Sequence, residues 1–240
     1  MQPAFKLPSP ETGTEYWIYV ARPRGRGPWQ TVLFLDGDDQ FASAVKAYRG
    51  RRKGSLPPLL LVGVGYGASY LKPANRRGRD YTPVPHAFEP SSGGADAFLA
   101  FLATTLWPEL RRRYAIDPKI RGVGGHSLGS LLVLHALFQP KPFFTHFLAS
   151  APSIWWANRA ILRQAKKLRA RRATLPAKLF LAVGGKDSPS MTDDLLRLEK
   201  QLADKPFRKL EISFHRFPER DHYTSLLPGF STGLADLFGD

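Results

Sequence analysis

Cysteine is absent from this chain, and acidic residues are scarce beside basic ones, with 20 Asp and Glu against 35 Lys and Arg. The first absence excludes disulfides and a thiol nucleophile, and leaves serine as the nucleophile to look for. No apolar run is long enough to cross a bilayer, and Met1-Gln2-Pro3-Ala4-Phe5-Lys6-Leu7-Pro8 lacks the apolar stretch of a signal peptide. The expectation is a soluble, cytoplasmic protein with no membrane partner. No Ser/Gly-rich linker divides the 240 residues, of which 43% are hydrophobic, so residues 1–240 are read as a single domain around one large core.

The shortage of acids leaves a formal charge of +15, with basic clusters at Arg49-Gly50-Arg51-Arg52-Lys53, Arg76-Arg77-Gly78-Arg79 and Arg111-Arg112-Arg113, and along residues 159–172. A basic surface concentrates anions, whether nucleic acid, acidic membrane or an acidic small substrate. No helix-turn-helix, zinc-finger or aromatic ribonucleoprotein signature accompanies the charge, so no nucleic-acid partner is expected. Most of these side chains are read as a solvated surface.

What is present is a series of short apolar runs. Residues 15–21 alternate as a half-buried strand, and residues 31–35, 59–64, 120–124, 144–148, 178–183 and 210–214 are near-continuous apolar segments. Between them lie helical patterns: an apolar periodicity from Ala95 running on to Arg113, the buried-looking segment 130–138 closed by Pro140, and a stripe of Ile161, Ala165 and Leu168 on a basic helix. Continuous apolar strands alternating with helices predict an α/β architecture, a mostly parallel sheet covered on both faces. Residues 65–94 fit neither periodicity. A connection of that length in a compact domain predicts a substrate-binding loop.

At one strand-to-helix corner stands Gly125-His126-Ser127-Leu128-Gly129, a G-x-S-x-G pattern. A serine in such a turn is strained and exposed, and its flanking glycines let backbone pack where a side chain would clash. A glycine-rich turn that contains serine by chance gives the same five letters, so the pattern gains meaning only with partners. The base comes from six histidines. His126 lies inside the corner, His135 on an apolar helix, His146 and His215 within strands, and His86 in the irregular connection. His222, in Pro218-Glu219-Arg220-Asp221-His222-Tyr223, follows the last strand, where ligands and catalysts collect in parallel sheets. The orienting carboxylate should fall between serine and histidine in chain order. Asp187, at the end of Gly184-Gly185-Lys186-Asp187, is the first candidate, although a turn aspartate would look the same. Asp193 and Asp194 read better as residues beginning a helix and favouring its dipole, and Asp221 adjoins the histidine too closely to hold its ring. The oxyanion requires two backbone N–H donors, expected from Leu128 and, after the strand at residues 31–35, from Asp38, which Gly37 allows to turn inward. The acidic side chains of Asp36-Gly37-Asp38-Asp39 could equally cap the following helix.

Several longer segments carry a resemblance. Phe34-Leu35-Asp36-Gly37-Asp38 with Phe41, Val62-Gly63-Val64-Gly65-Tyr66, Arg79-Asp80-Tyr81-Thr82-Pro83, Gly93-Gly94-Ala95-Asp96-Ala97-Phe98, the Ser127 pentapeptide, Ser150-Ala151-Pro152-Ser153-Ile154-Trp155-Trp156 and Asp221-His222 are similar to those of the esterase D branch of α/β-hydrolases. Within that branch the chain resembles the ferric-siderophore esterases that hydrolyse enterobactin-like trilactones. Where the usual elbow has a second glycine, this chain has Ser130.

The resemblance implies an α/β-hydrolase fold and a serine esterase. Ser127 would attack the ester carbonyl, His222 would serve as base and then acid, and water would release the acyl-enzyme. The acid is less uniform in that branch, where some members look like Ser-His dyads. It implies neither a cofactor nor a catalytic metal, the iron being cargo of the substrate. An anionic ferric catecholate or a related aromatic ester would suit the basic surface, with Arg77 and Arg79 nearest to it and Trp155 and Trp156 stacking on an aromatic group. The same arginines could instead be solvated or paired with Asp80, and either tryptophan could be core. Two other readings stay open: the same mechanism on unrelated acyl esters, such as small carboxylic or feruloyl-type esters, and a hydrolase-fold binding protein without turnover.

Overall fold

In the computed structural model, which describes residues 1–52, 54–87 and 89–239, eight strands form one sheet. They are β1 (Phe5–Ser9), β2 (Thr14–Ala21), β3 (Trp29–Phe34), β4 (Leu59–Gly65), β5 (Ile116–His126), β6 (His146–Ser150), β7 (Thr174–Gly184) and β8 (Arg208–Phe217). Their order is β1-β2-β4-β3-β5-β6-β7-β8, antiparallel from β1 to β4 and parallel from β4 to β8. The sheet bears out the α/β-hydrolase expectation. β1 is an element the apolar pattern does not reveal, because Pro8 sits inside it. On the outermost strand a missing N–H is tolerated.

Alternation along each strand sends side chains to two cores. Leu33 and Val62 face one layer, while Val32, Phe34 and Leu61 face the other. The second layer is covered by α1 (Phe41–Arg49) and α8 (Leu226–Phe238), through Phe41, Phe230 and Leu234. The first carries α2 (Arg77–Asp80), α3 (Ala95–Ala100), α4 (Trp107–Arg113), α5 (Leu128–Leu137), α6 (Trp156–Arg171) and α7 (Pro189–Asp204). All of Gly129 to Leu137 is buried, because α5 is sandwiched between the sheet and the outer helices α3 and α6. That burial explains an apolar surface all round the helix.

The stretch expected as one helix from Ala95 to Arg113 is interrupted by a π-helical turn, Phe101–Leu106. This wider turn ends two residues before Pro108, which has no N–H to offer the carbonyl of Thr104. A second departure concerns Asp193 and Asp194. α7 starts at Pro189 with no acid in its first turn, so neither aspartate begins the helix, and fully buried Asp194 accepts a hydrogen bond from Arg159 at 2.5 Å. Residues 65–94, expected as an irregular loop, contain α2 and bury Asp80, Tyr81 and Thr82. Phe88 of that connection and Lys53 of the first basic cluster lie outside the described residues.

The chain leaves β3 to build β4 on one side and returns to build β5 on the other. Such a reversal opens a crevice at the carboxyl ends of the strands. Phe34 pairs with Gly124, which brings the loop after β3 beside the corner after β5.

Candidate active site

Ser127 is the single residue between β5 and α5, with φ 59° and ψ −121°, a conformation that costs a side-chain-bearing residue about 1–3 kcal/mol. The surrounding backbone holds it there. Its N–H donates to the carbonyl of Ser150 at 3.0 Å, and its own carbonyl accepts from Ser130, Leu131 and Ser153 at 3.0, 3.2 and 3.2 Å. A Cβ at Gly125 would lie 2.7 Å from the carbonyl carbon of Gly129, so glycine is required for the turn to close. Ser130, in place of the usual glycine, shares its hydroxyl proton between the carbonyls of Gly125 and Ser150, each 2.7 Å away.

The loops after β7 and β8 meet because Gly184 and Gly185 carry no side chains. A Cβ on either would stand 2.4 Å from the carbonyl oxygen of Arg220 or 2.6 Å from that of Pro218. The backbones join through Gly185 N–H to Phe217 at 2.7 Å and Lys186 N–H to Arg220 at 2.9 Å. This contact brings Oδ2 of Asp187 to 2.8 Å from Nδ1 of His222, while Oδ1 accepts from the N–H of Ser188. The carboxylate side chain is 4% exposed and the imidazole 25%. Asp221 is occupied otherwise: its Oδ1 accepts from Tyr223 N–H, Thr224 N–H and the Thr224 hydroxyl, which build the turn.

His222 also packs against the ring of His126, with centroids 4.7 Å apart, which draws the β8 turn against the serine corner. His126 is buried and its Nδ1 lies 3.0 Å from the Ser150 hydroxyl. Burial above all, and then the nearby charge of His222, push its pKa down to about 3. At neutral pH it is an uncharged neighbour of His222.

Across the corner, the turn after β3 is built around two aspartates. Asp36, fully buried with φ 52°, accepts a bidentate pair from Arg77 at 2.7 and 3.0 Å, and donates its N–H to the hydroxyl of Tyr81. Burial raises the Asp36 pKa, and the Arg77 charge works against that rise. Gly37 donates to Val64, and Asp39 and Gln40 donate back to Asp36, which leaves the N–H of Asp38 without an acceptor among the described residues. The Asp38 carboxylate is tied down by the Tyr19 hydroxyl at 2.6 Å and by the N–H groups of Tyr66 and Gly67 at 2.5 and 3.0 Å. A Cβ at Gly129 would sit 3.3 Å from Oδ2 of Asp36, so this turn abuts the start of α5. There the N–H of Leu128 heads the helix, at the positive end of its dipole.

The structure therefore gathers Ser127, His222, Asp187, Leu128 and Asp38 around one end of the sheet. It treats the expected substrate contacts differently. Arg79 does not reach the corner: its guanidinium binds Asp80 at 2.7 Å and the hydroxyl of Thr14 at 2.7 Å, next to a carboxylate that also accepts from Tyr16 and Tyr66. Arg77 does border the corner, but Asp36 occupies its fork. Trp156 is 2% exposed and donates its indole N–H to Val84, so it packs the core and anchors α6 to the long connection. Trp155 stays partly exposed, two residues past Ser153, which donates to Ser127. Sequence reasoning passed over Tyr70 and Tyr223, 41% and 80% exposed, which border Arg77 and His222. Tyr223 had a signal in its position next to His222; Tyr70 had none. Among the described residues no group of three His, Cys, Asp or Glu could hold a metal ion, and no helix is long and apolar enough to cross a membrane.

Residues 9–223 match the family described as putative esterase. The ferri-bacillibactin esterase BesA of Bacillus subtilis is 30% identical over 237 residues, covering 89% of this chain and 81% of its own length. The siderophore triacetylfusarinine C esterase of Aspergillus fumigatus is 35% identical over 167 residues, 65% of this chain and 57% of its own. Among solved structures, the BES protein from Bacillus cereus superposes with a TM-score of 0.84 at 26% identity, over 98% of this chain and 95% of that one.

Proposed function

Since this chain belongs to the putative esterase family and is an ester-hydrolysing enzyme, we propose that it cleaves siderophore esters through an acyl-enzyme on Ser127. The observation that carries the reading is the pairing of buried Asp187 with Nδ1 of partly open His222, beside a serine held at positive φ. With Nδ1 bound to the carboxylate, Nε2 is the nitrogen left to take the proton of the Ser127 hydroxyl as its oxygen attacks the carbonyl. Asp187 keeps the ring in that tautomer and stabilises the imidazolium that forms. The N–H groups of Leu128 and Asp38 receive the developing oxyanion. His222 then returns its proton to the departing alcohol, and water repeats the sequence on the acyl-enzyme.

The relatives named as siderophore esterases support a siderophore ester as substrate, the iron being carried by it without a part in catalysis. One observation favours the alternative of simple acyl esters: the guanidinium groups expected to meet catecholate oxygens both bind aspartates. Two measurements test the proposal. Ser127→Ala should reduce hydrolysis of p-nitrophenyl esters to background, and retained turnover would overturn the mechanism. A higher kcat/KM for a ferric catecholate trilactone than for p-nitrophenyl acetate is expected, and no preference would reject the siderophore substrate.

A further inference from the structure

One segment of the sequence has no part in the reaction as drawn above, Arg79-Asp80-Tyr81-Thr82-Pro83. Its tyrosine is fully buried, and the hydroxyl accepts the N–H of Asp36, 45 positions away in sequence, at 3.0 Å. Asp36 stands at φ 52°, a conformation that a residue with a side chain keeps only when its surroundings hold it there. Two positions later comes the N–H of Asp38. Arg77, four residues before Tyr81 and so on the same face of α2, binds the carboxylate of that same Asp36 at 2.7 and 3.0 Å. Asp36 is gripped twice, by its backbone and by its side chain. The turn that carries both grips is itself closed: Tyr81 donates its N–H to the carbonyl of Arg77 at 3.0 Å, and the Thr82 hydroxyl donates to Gly78 at 2.7 Å and accepts from the N–H of Gly93 at 2.8 Å. The Tyr81 hydroxyl also hydrogen-bonds that of Tyr66, which donates onward to Asp80 at 3.1 Å. Its one proton is thereby directed at Tyr66, and a lone pair is left for Asp36. Burial first, and then the charge of Asp36, raise the Tyr81 pKa well above that of a free tyrosine, so the hydroxyl stays neutral.

We propose that Tyr81 is a positioning residue for the oxyanion site: together with Arg77 it clamps Asp36 at positive φ and so fixes where the N–H of Asp38 points. This role rests on the hydrolase reading above. It gives the connection of residues 65–94 a part in setting the rate, where the sequence pointed to substrate contact. A donor that is preorganised toward the developing charge acts in the transition state, so loosening it lowers kcat and leaves ground-state binding alone.

Tyr81→Phe removes the hydroxyl and keeps the ring. Its kcat for p-nitrophenyl benzoate, normalised to Ser127 titrated to completion with a fluorophosphonate, should fall about ten- to a hundredfold, with KM within about twofold of wild type. The thionobenzoate analogue reports on the oxyanion site itself, because its C=S sulfur takes little from N–H donors. With that ester the loss should nearly vanish, so the oxo-to-thiono ratio of kcat should drop by the same factor. Tyr16→Phe is the control, since it takes another fully buried hydroxyl away from Asp80 without touching Asp36. Both variants should lower the urea midpoint, and Tyr16→Phe should keep the wild-type kcat. Equal kcat losses in the two variants would make the effect one of stability and overturn the clamp, as would a Tyr81→Phe loss that is the same for both esters or that falls on KM. If the wild-type protein hydrolyses neither ester and the fluorophosphonate does not label Ser127, the hydrolase reading fails and the clamp falls with it. A labelled, active enzyme whose kcat and ratio survive Tyr81→Phe rejects the clamp alone.

Discussion

Two histidines of this protein contact an aspartate at nearly the same distance, His222 with Asp187 at 2.8 Å and His135 with Asp96 at 2.7 Å, yet the surroundings of the two pairs are inverted. At His222 the carboxylate is buried and the imidazole a quarter open. At His135 the imidazole side chain is 7% exposed and the carboxylate 80%. Both nitrogens of His135 are also engaged, Nδ1 with Gln164 at 2.8 Å and Nε2 with Asp96 and Gln139. That pair ties α5 to α3 and α6. An imidazole serves as a base only if one nitrogen can still reach a substrate, so a His-Asp contact identifies a catalytic pair through which partner is open, not through its length.

The largest effect that could break this contrast is on turnover. Asp187→Asn should lower kcat by about 10³-fold or more, through loss of the tautomer and of imidazolium stabilisation. Asp96→Asn should leave kcat/KM within about twofold and cost about 1 kcal/mol or less, since the exposed carboxylate gives way to an amide oxygen that can still accept from buried His135. Steady-state kinetics and urea unfolding of both variants decide it. Equal losses of activity would erase the distinction, and near-wild-type kcat in Asp187→Asn would point to a Ser-His dyad.

A similar division runs through the arginines. Arg77 and Arg79 each pair with a fully buried aspartate, but only Asp36 carries the turn that presents the N–H of Asp38. Arg77→Met strands a buried carboxylate and should cost about 3 kcal/mol, with kcat falling as the turn relaxes. Arg79→Met should cost less, since Asp80 keeps Tyr16 and Tyr66 as donors, and kcat of the folded fraction should stay at the wild-type value. Urea unfolding and kinetics at saturating ester separate these outcomes. A kcat loss in Arg79→Met that equals the loss in Arg77→Met would remove the Asp36 turn from its special position.

The members of the candidate site that were legible in the sequence are the ones with local signatures. Ser127 has glycines on both sides, Asp187 and His222 each follow a strand end, and chain order limits which carboxylate can serve. The parallel sheet was legible because buried strands are apolar on both faces. The substrate contacts were not, because what an arginine or tryptophan meets depends on residues far away in sequence. Arg77 meets Asp36 from 41 positions away, and Tyr16 reaches Asp80 from 64. Exposure has the same character: Tyr70 stands out only after the rest of its connection folds inward, burying Asp80 and Tyr81. β1 was missed because Pro8 lies inside it, and the π-helical turn because Pro108 follows it, each proline altering the backbone pattern without altering the apolar one.

The smallest effect concerns a third imidazole, His126, which touches His222 but is prevented from titrating with it. Its folded pKa of about 3 lies well below the unfolded value of about 6.5. The unfolded chain takes up a proton there that the folded protein refuses, so the stabilisation is complete above about pH 6.5 and is lost as pH falls toward 3. Between pH 7 and pH 5 the loss amounts to about 2 kcal/mol. His126→Gln removes the titrating group and can keep the hydrogen bond to Ser150. Urea unfolding at the two pH values should show a stability loss smaller by about that amount in the variant than in the wild type. Some loss should remain in both, because burial also holds His146 down to about 4. Equal losses would mean that His126 takes up its proton in the folded state too, and His222 would then work beside a second cation. With His126 neutral, the protonated His222 meets no like charge from that ring.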